Sequence, residues 1–318
     1  MKQGDMKRIF INFFMLLILL NIIIIESING QTVSDMNQVK IINDSGKDQY
    51  YCTQDETEVL ETVEHFLFAA GNYDIEAMSN MMTDHANVGS VSLKDGERVI
   101  NTMTVQDYFN GVKNKTTRPY FEPVREYTIH LNDDHLAFVR ADATLYAYGV
   151  PQSHNMDYFT LMKDGESWKF LSLSYSATPI LEDEKVFDLK IFGKSYAQAW
   201  CSQKPDYVSL FFAEDGSLSV NDGKPAVGRN EISKVAESFM TAFPDIIVSM
   251  DSIVQTTRGT EFYWTFTGTN TGPNGTGKKV KISGVELWQL DDNGLIKESK
   301  GSFDTEEYER QVKYGVGN

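Results

Sequence analysis

A short pattern that occurs twice constrains the fold more than any other feature of the sequence. Asp157–Gly165 and Glu286–Gly294 each begin with a carboxylate and carry an aromatic residue two positions on, a leucine four positions on and a glycine eight positions on. Both copies follow a stretch of helical periodicity and then a run of strand-like segments. The repeated order of helices followed by strands indicates two copies of one α+β unit.

The first copy is predicted to begin with helices. Thr53 and Glu56 have capping-box spacing, and apolar residues recur at helical period as far as Gly71. Shorter helices are predicted over 75–82 and 105–112. Segments rich in β-branched and aromatic residues then predict strands over 121–131, 135–148, 153–162 and 168–177. The first unit is therefore expected to span residues 52–178.

The second copy follows an acidic segment that contains a proline, Thr178–Glu184, which is predicted to be a linker. Its helices are predicted over 187–200, 206–212 and 229–243, and its strands over 246–254, 261–269, 278–290 and 295–303. The second unit is expected to span residues 186–315. The predicted fold class is α+β, with each antiparallel sheet packed on about three preceding helices.

The N-terminal segment is typical of an export signal. Lys7 and Arg8 precede the apolar run Ile9–Ile25, and small residues follow in Ser27–Gly30. An uncleaved anchoring helix is the alternative, although the run falls slightly short of the ~20 residues that a bilayer needs. We expect residues 1–30 to be a signal peptide and the mature protein to be periplasmic or secreted, with no membrane contact after cleavage.

Charge and cysteine content exclude several kinds of partner. The chain has 45 acidic and 29 basic residues and a net charge of −16, so phosphate backbones would repel it and no nucleic-acid partner is expected. Cys52 and Cys201 permit one disulfide in an oxidising compartment, or two unpaired thiols. The absence of a CxxC pair or a His/Cys cluster predicts no metal site.

A near match to a nucleotide-binding loop is also present at Thr271–Lys279. Lys279 replaces the hydroxyl residue that would hold magnesium, and 280–283 alternates like a strand where a helix is needed. We interpret this segment as a loop between strands, and no cofactor is predicted.

The second half resembles the SnoaL-like polyketide cyclases of the nuclear transport factor 2-like superfamily. The resemblance covers Trp200–Gly315 and depends on motifs that occur in register: 228–232 (GRNEI), 242–245 (AFPD), 266–269 (FTGT), 271–273 (TGP), 284–286 (GVE), 303–304 (FD) and 311–312 (QV). It implies a cone-shaped unit in which a curved sheet wraps around helices and encloses an apolar pocket. The first half looks like a more distant member, so two tandem cones are expected.

The resemblance also implies particular site residues. Alignment on ketosteroid isomerase, another member of the superfamily, places Tyr196 at the tyrosine of the oxyanion hole and Glu286 at an acid that stays protonated in an apolar site. The general-base position aligns with Val220, and Asp222 lies two residues on. SnoaL-like cyclases carry an acid/base group on the last strands, which points to Asp304.

The strand phase of Glu286 gives an independent argument. Alternation places it on one face with Ile282 and Trp288, where burial would raise its pKa and make it a general acid or a ligand anchor. A pairing with Lys300 on the neighbouring strand, or a solvent-facing strand, is the alternative. By the same argument, Asp157 in the first unit is expected to lie on an apolar strand face, where burial would raise its pKa.

Several further residues are predicted to line the pocket. They are Tyr196, Trp200, Trp264, Trp288, Asp222, Lys300 and Asp157. Tyr196 and Trp200 lie one helical turn apart and can equally pack a core.

These residues leave more than one function open. The first is cofactor-free acid/base chemistry on a small molecule, such as cyclisation, isomerisation or hydration, with Glu286 and Asp304 as catalytic candidates. The second is an exported binding or accessory module that holds an apolar or carbohydrate-like ligand without converting it. The third is structural, because such units commonly pair through their sheets and the duplication would then form an internal dimer, with homo-oligomers also possible.

Overall fold

The computed structural model describes residues 40–42, 48–49, 53–94, 96–113, 118–133 and 135–317. The predicted signal peptide and Cys52 lie outside these residues. Within them, no helix combines the length and the apolar character needed to cross a membrane.

The first half folds into helices packed on one sheet. Its elements are β1 (Lys40–Ile42), β2 (Asp48–Gln49), α1 (Gln54–Gly71), α2 (Ile75–Met81), β3 (Met82–Lys94), β4 (Glu97–Thr104), α3 (Val105–Lys113), β5 (Val124–Asn132), β6 (Leu136–Ala147), β7 (Val150–Asp164) and β8 (Ser167–Pro179). The sheet has eight strands in the order β2-β1-β5-β6-β7-β8-β3-β4. β3 pairs with β8 in parallel, as does β1 with β5, so the sheet is mixed.

The second half, after a short 3-10 turn at Glu182–Glu184, repeats this plan. Its elements are α4 (Leu189–Cys201), α5 (Pro205–Ser209), β9 (Phe212–Val220), β10 (Ala226–Val227), α6 (Arg229–Ala242), β11 (Ile247–Thr256), β12 (Gly259–Thr269), β13 (Lys279–Leu290), β14 (Ile296–Phe303) and α7 (Thr305–Tyr314). The sheet has six strands in the order β10-β9-β14-β13-β12-β11. β9 pairs with β14 in parallel.

The two sheets share one strand order. The order β5-β6-β7-β8-β3-β4 of the first half matches β11-β12-β13-β14-β9-β10 of the second, and each parallel pair falls at the same place. β7, which carries Asp157, is therefore the counterpart of β13, which carries Glu286.

Each half has its own hydrophobic core. In the first, α1 buries Val59, Leu60, Val63 and Phe66 against the sheet. The predicted capping box starts this helix, since the Thr53 hydroxyl accepts from the Glu56 N–H at 3.2 Å and the Glu56 carboxylate accepts from the Thr53 N–H at 2.7 Å.

The second core forms in the same way between helices and sheet. α4 buries Phe192 and Tyr196, which pack with Phe262 and Trp288 from the sheet. Burial of these large apolar side chains makes a favourable contribution to the folding of each half.

The predicted α+β class is confirmed, but the sheets are mixed rather than wholly antiparallel. β3, β4 and β9 were not predicted, because their sequences are rich in polar residues and much of β4 is exposed, so the alternation that marks a half-buried strand is weak. The C-terminal helix α7 was also missed. It is a charged helix that begins directly after β14.

The two halves contact each other through α4 and the segments next to it. The Gln198 side-chain amide donates to the Tyr120 carbonyl oxygen at 3.1 Å, and the Asp188 N–H donates to the Gly149 carbonyl oxygen at 2.8 Å. The rings of Tyr148 and Phe211 meet edge to face with centroids 5.0 Å apart. These contacts hold the helix that carries Tyr196 against the first half.

Candidate functional site

Glu286 lies near the middle of β13 with its side chain turned into the second core. Phe262 of β12 and Gly301 of β14 flank it, and it is only 7% exposed. Ile282 and Trp288 are buried on the same face, as the strand phase predicted, whereas Lys281 is exposed.

Three donors converge on one oxygen of this carboxyl group. Oε2 accepts from the Ser299 hydroxyl at 2.6 Å, the Trp288 indole N–H at 2.9 Å and the Tyr196 hydroxyl at 3.2 Å. The other oxygen, Oε1, has a contact of 3.5 Å to the same Tyr196 hydroxyl. Because Oε2 already accepts from three groups, a proton on this carboxyl belongs on Oε1.

Burial raises the pKa of Glu286 above its ordinary value. The hydrogen bonds from Ser299, Trp288 and Tyr196 act in the opposite direction, since they stabilise the carboxylate, but desolvation is the larger effect. No cation of the described chain contributes to this pKa. Burial therefore shifts Glu286 towards the neutral acid relative to an exposed glutamate, while three donors remain in place for the anion.

The predicted alternative, a pairing of Glu286 with Lys300, is wrong. The Lys300 ammonium lies 2.9 Å from the Glu298 carboxylate, and its side chain is 59% exposed. Lys300 is opposite Leu287 in the register, one residue away from Glu286, so its side chain belongs to the other face of the sheet.

An apolar cavity of about 70 Å³ adjoins Glu286. Its walls are Trp200, Leu218, Val220, Phe239, Ile246, Val248, Trp264, Phe266, Ile282, Gly301, Phe303 and Tyr308. Glu286 is the one carboxyl group among the described residues that line it. The cavity can therefore hold a small apolar group against a single buried acid.

Trp264 adds a second polar group to this cavity. Its indole N–H is buried and has no hydrogen-bond partner within the described chain. Gly284 makes room for the ring, because a Cβ at that position would lie 2.4 Å from Cζ2 of Trp264. An unpaired buried donor is costly for the folded protein.

The other residues that the sequence predicted to line the pocket do not all lie in the cavity wall. Trp200 and Trp264 line the cavity, whereas Tyr196 and Trp288 are fully buried behind its wall and donate hydrogen bonds to Glu286. Val220, at the expected general-base position, is part of the wall.

The remaining predicted carboxylates lie away from the cavity. Asp222 is exposed and borders a groove that it shares with Lys300. Asp304 is the N-cap of α7, where its side chain accepts from the Glu307 N–H at 2.9 Å. Asp157 is buried in the sheet of the first half. The structure thus brings Glu286 together with the aromatic residues but not with a second carboxylate.

Sequence reasoning missed Ser299 and Tyr308. Ser299 is fully buried opposite Trp288, a position fixed by a register shift between Gln289 and Leu290 that the sequence pattern does not reveal. Tyr308 comes from the unpredicted helix α7. In the sequence, the tryptophans predicted to line the pocket were the signal that pointed to this part of the cavity wall.

The second half thus has the features of a cone-like α+β domain with one buried acid beside an apolar cavity. Residues 191–312 match the sequence model of the SnoaL-like polyketide cyclase family, which confirms the predicted resemblance for this part of the chain. No curated protein matches the chain.

Several solved structures are similar to parts of the chain. They include an NTF2-like protein of unknown function from Shewanella baltica (18% identity, 41% of this chain and 100% of that chain, TM-score 0.33) and a putative polyketide cyclase from Xanthomonas campestris pv. campestris (20% identity, 37% and 92%, TM-score 0.31). A third is an LEH-like epoxide hydrolase from M. tuberculosis (13% identity, 39% and 87%, TM-score 0.32).

Proposed function

We propose that the second half binds a small apolar molecule that carries a carbonyl or similar oxygen, and that Glu286 acts on this oxygen as an acid without a cofactor. The observation that carries the proposal is the arrangement of Glu286, whose Oε2 accepts from three protein donors while Oε1 is left for a ligand. Its raised pKa keeps a proton available for that oxygen.

The donors around Glu286 have a chemical role in this proposal. When the proton on Oε1 moves to the ligand oxygen, the carboxylate that remains is already hydrogen-bonded by Ser299, Trp288 and Tyr196. A preorganised site of this kind stabilises developing charge without rearrangement. Proton transfer to a carbonyl supports isomerisation, cyclisation or hydration at the neighbouring carbons.

The cavity also favours a particular class of ligand. Its walls are almost wholly apolar, and both the unpaired Trp264 N–H and a protonated Glu286 are hydrogen-bond donors. A ligand with acceptor oxygens on an apolar skeleton fits this set better than a hydroxyl-rich carbohydrate does, because a carbohydrate would bury donors and acceptors without partners.

A binding module without turnover is the second candidate function. It is favoured by one observation: Val220 takes the expected place of the general base, while Asp222 and Asp304 lie outside the cavity. Under this alternative Glu286 anchors a ligand and does not exchange a proton with it.

Glu286→Gln separates the two candidates. Apolar ketones and enones would be screened for binding by native mass spectrometry and for conversion by chromatography. Loss of conversion with binding retained in Glu286→Gln, and no change in Glu298→Gln, supports acid catalysis. Conversion that survives in Glu286→Gln excludes Glu286 as the acid, and binding without conversion by the wild type indicates the binding module.

We also propose that the protein is exported after removal of residues 1–30 and that it consists of tandem units joined at Thr178–Glu184. The apolar run Ile9–Ile25 with its basic flank supports export, and the common strand order supports duplication. Intact-mass analysis of native protein that still carries Met1 would contradict export. Limited proteolysis that yields stable fragments with a boundary elsewhere would contradict the division.

A further inference from the structure

A groove crosses the outer face of the second sheet, on the side opposite Glu286 and the core. Val285 and Leu287 of β13 form its floor, since they alternate along the strand with the inward-facing Glu286. Tyr263 of β12 lies directly across from Val285 and is 37% exposed. Polar side chains border this floor: Ser219, Asp222, Arg258, Glu261, Lys300 and Ser302.

The groove is much larger than the cavity on the inner face. Its volume is about 720 Å³, against about 70 Å³ for the cavity at Glu286. One row of residues crosses four paired strands, with Ser219 on β9, Lys300 on β14, Leu287 on β13 and Glu261 on β12. Neighbouring strands are ~4.8 Å apart, so this row spans about 14 Å. A ligand of several joined rings therefore fits the groove.

One end of the groove is held in place by the Asn221 side chain. Its amide nitrogen donates to the Thr305 hydroxyl at 2.8 Å, and its amide oxygen accepts from the Phe303 N–H at 2.9 Å. These bonds tie the turn after β9, which carries Asp222, to the start of α7. A wall that is formed before a ligand arrives reduces the conformational entropy lost on binding.

The charged groups of the groove balance one another. Among the described residues, the lining contains two cations and two carboxylates: Arg258, Lys300, Glu261 and Asp222. The Arg258 guanidinium lies 2.5 Å from the Glu261 carboxylate, and the Lys300 ammonium lies 2.9 Å from the carboxylate of Glu298. An ion of either sign would therefore meet like charges, which disfavours a charged ligand.

We propose that this groove binds a neutral oligosaccharide, at a site separate from the cavity at Glu286. Sugar hydroxyls both donate and accept hydrogen bonds, so they match a border in which serine hydroxyls, carboxylates and cations lie side by side. The apolar C–H faces of the sugar rings cover Val285, Leu287 and the ring of Tyr263. The Tyr263 hydroxyl donates to Glu261 at 2.7 Å, which restrains that ring.

Other ligand classes fit this groove less well. An apolar ligand would cover the polar border without providing partners for it. A peptide strand needs an open sheet edge to pair with, whereas β12, β13 and β14 each lie between two neighbouring strands. The outer groove and the inner cavity would thus take ligands of opposite polarity.

Isothermal titration of the full chain with four neutral hexasaccharides tests the proposal: cellohexaose, chitohexaose, maltohexaose and laminarihexaose, with hexagalacturonate as the anionic control. We expect saturable binding of at least one of the four, with little dependence on salt because the ligand is uncharged. Tyr263→Ala should lose about tenfold in affinity, because an aromatic contact is removed. Tyr158→Ala, which changes a tyrosine that is 39% exposed on the first sheet, is the matched control and should bind as the wild type does, as should Glu286→Gln.

Four outcomes would overturn the proposal. They are no saturable binding of any of the four neutral hexasaccharides, tighter binding of hexagalacturonate, unchanged affinity in Tyr263→Ala, and a wild-type dimer in sedimentation that Tyr263→Ala dissociates. The last result would show that a second copy of the chain covers this face.

If Tyr263→Ala fails to fold, acetylation of wild-type lysines followed by mass spectrometry decides the question. The Lys300 side chain is 59% exposed and borders the groove, whereas Lys190 is exposed on α4. Slower labelling of Lys300 with the bound hexasaccharide, at an unchanged rate for Lys190, supports the site. Labelling of Lys300 that the hexasaccharide does not slow refutes it.

Discussion

Ser299→Ala is expected to destabilise the second half by an amount that increases with pH. The Ser299 side chain is fully buried, and its hydroxyl makes the shortest hydrogen bond to Glu286, at 2.6 Å. Alanine removes this donor with little change in volume, while the Trp288 and Tyr196 donors remain. The variant therefore tests the hydrogen bond more than the packing.

The expected magnitude follows from the protonation state of Glu286. A hydrogen bond to the neutral acid contributes ~1 kcal/mol to the free energy of unfolding, and one to the carboxylate contributes ~2 kcal/mol. The pKa of Glu286 is already raised in the folded protein. Loss of a donor to the charged form raises it further, so the additional loss of stability appears as pH rises through the folded pKa.

Urea unfolding of wild type and Ser299→Ala, repeated across the pH range in which both proteins are folded, measures this difference. Ser302→Ala, at an exposed position on the same strand, is the matched control. In the Glu286→Gln background the effect of Ser299→Ala should lose its pH dependence, which the double-mutant cycle quantifies. An effect of Ser299→Ala that is the same across the whole of that pH range would refute the charged-state argument.

Three further predictions concern other parts of the chain. Gly284→Ala should displace the Trp264 ring, which a Cβ would approach to 2.4 Å, and should cost ~1–3 kcal/mol in urea unfolding and weaken apolar-ligand binding. Gly111→Ala is the control, because a Cβ there meets nothing within 4 Å; it should not destabilise the protein, and its place inside α3 favours alanine by up to ~1 kcal/mol. Asp157→Asn should gain stability relative to wild type as pH rises from 4 to 8. Burial raises the folded pKa of Asp157 to about 8, above the ordinary 3.8, so the wild type loses stability as the pH rises through this range and the Asn variant does not. A difference in melting temperature that stays constant from pH 4 to pH 8 would contradict this prediction. The Cys201 thiol, whose pKa burial raises to about 12, should react with a thiol reagent at pH 8 far more slowly in native protein than in urea, and equal rates would show that it is not buried.

The sequence predicted the fold class and the position of Glu286 because both depend on local periodicity. Alternation around Ile282 and Trp288 placed the carboxylate on the buried face, and helical spacing after Thr53 placed the first helix. Polar strands such as Glu97–Thr104 carry no such signal, since they are held by pairing with neighbours rather than by burial of alternate side chains.

The composition of the site depended on the tertiary structure. Lys300, the alternative partner that the sequence offered for Glu286, lies one register position away on the other face of the sheet, whereas Ser299 beside it donates to Glu286. A shift of one residue reverses the face of every side chain in a strand, and no local pattern fixes the register between strands.

By itself, the sequence predicted the α+β class and a carboxylate on an apolar strand face in each half. The tertiary structure decided how those carboxylates differ. Glu286 meets three donors from two other elements and its own strand, while Asp157 is buried in the other sheet and its Oδ2 has no hydrogen-bond partner within the described chain. The pKa and hydrogen bonding of a buried acid depend on groups that are distant in the chain and near in space, and only the folded chain brings these groups together.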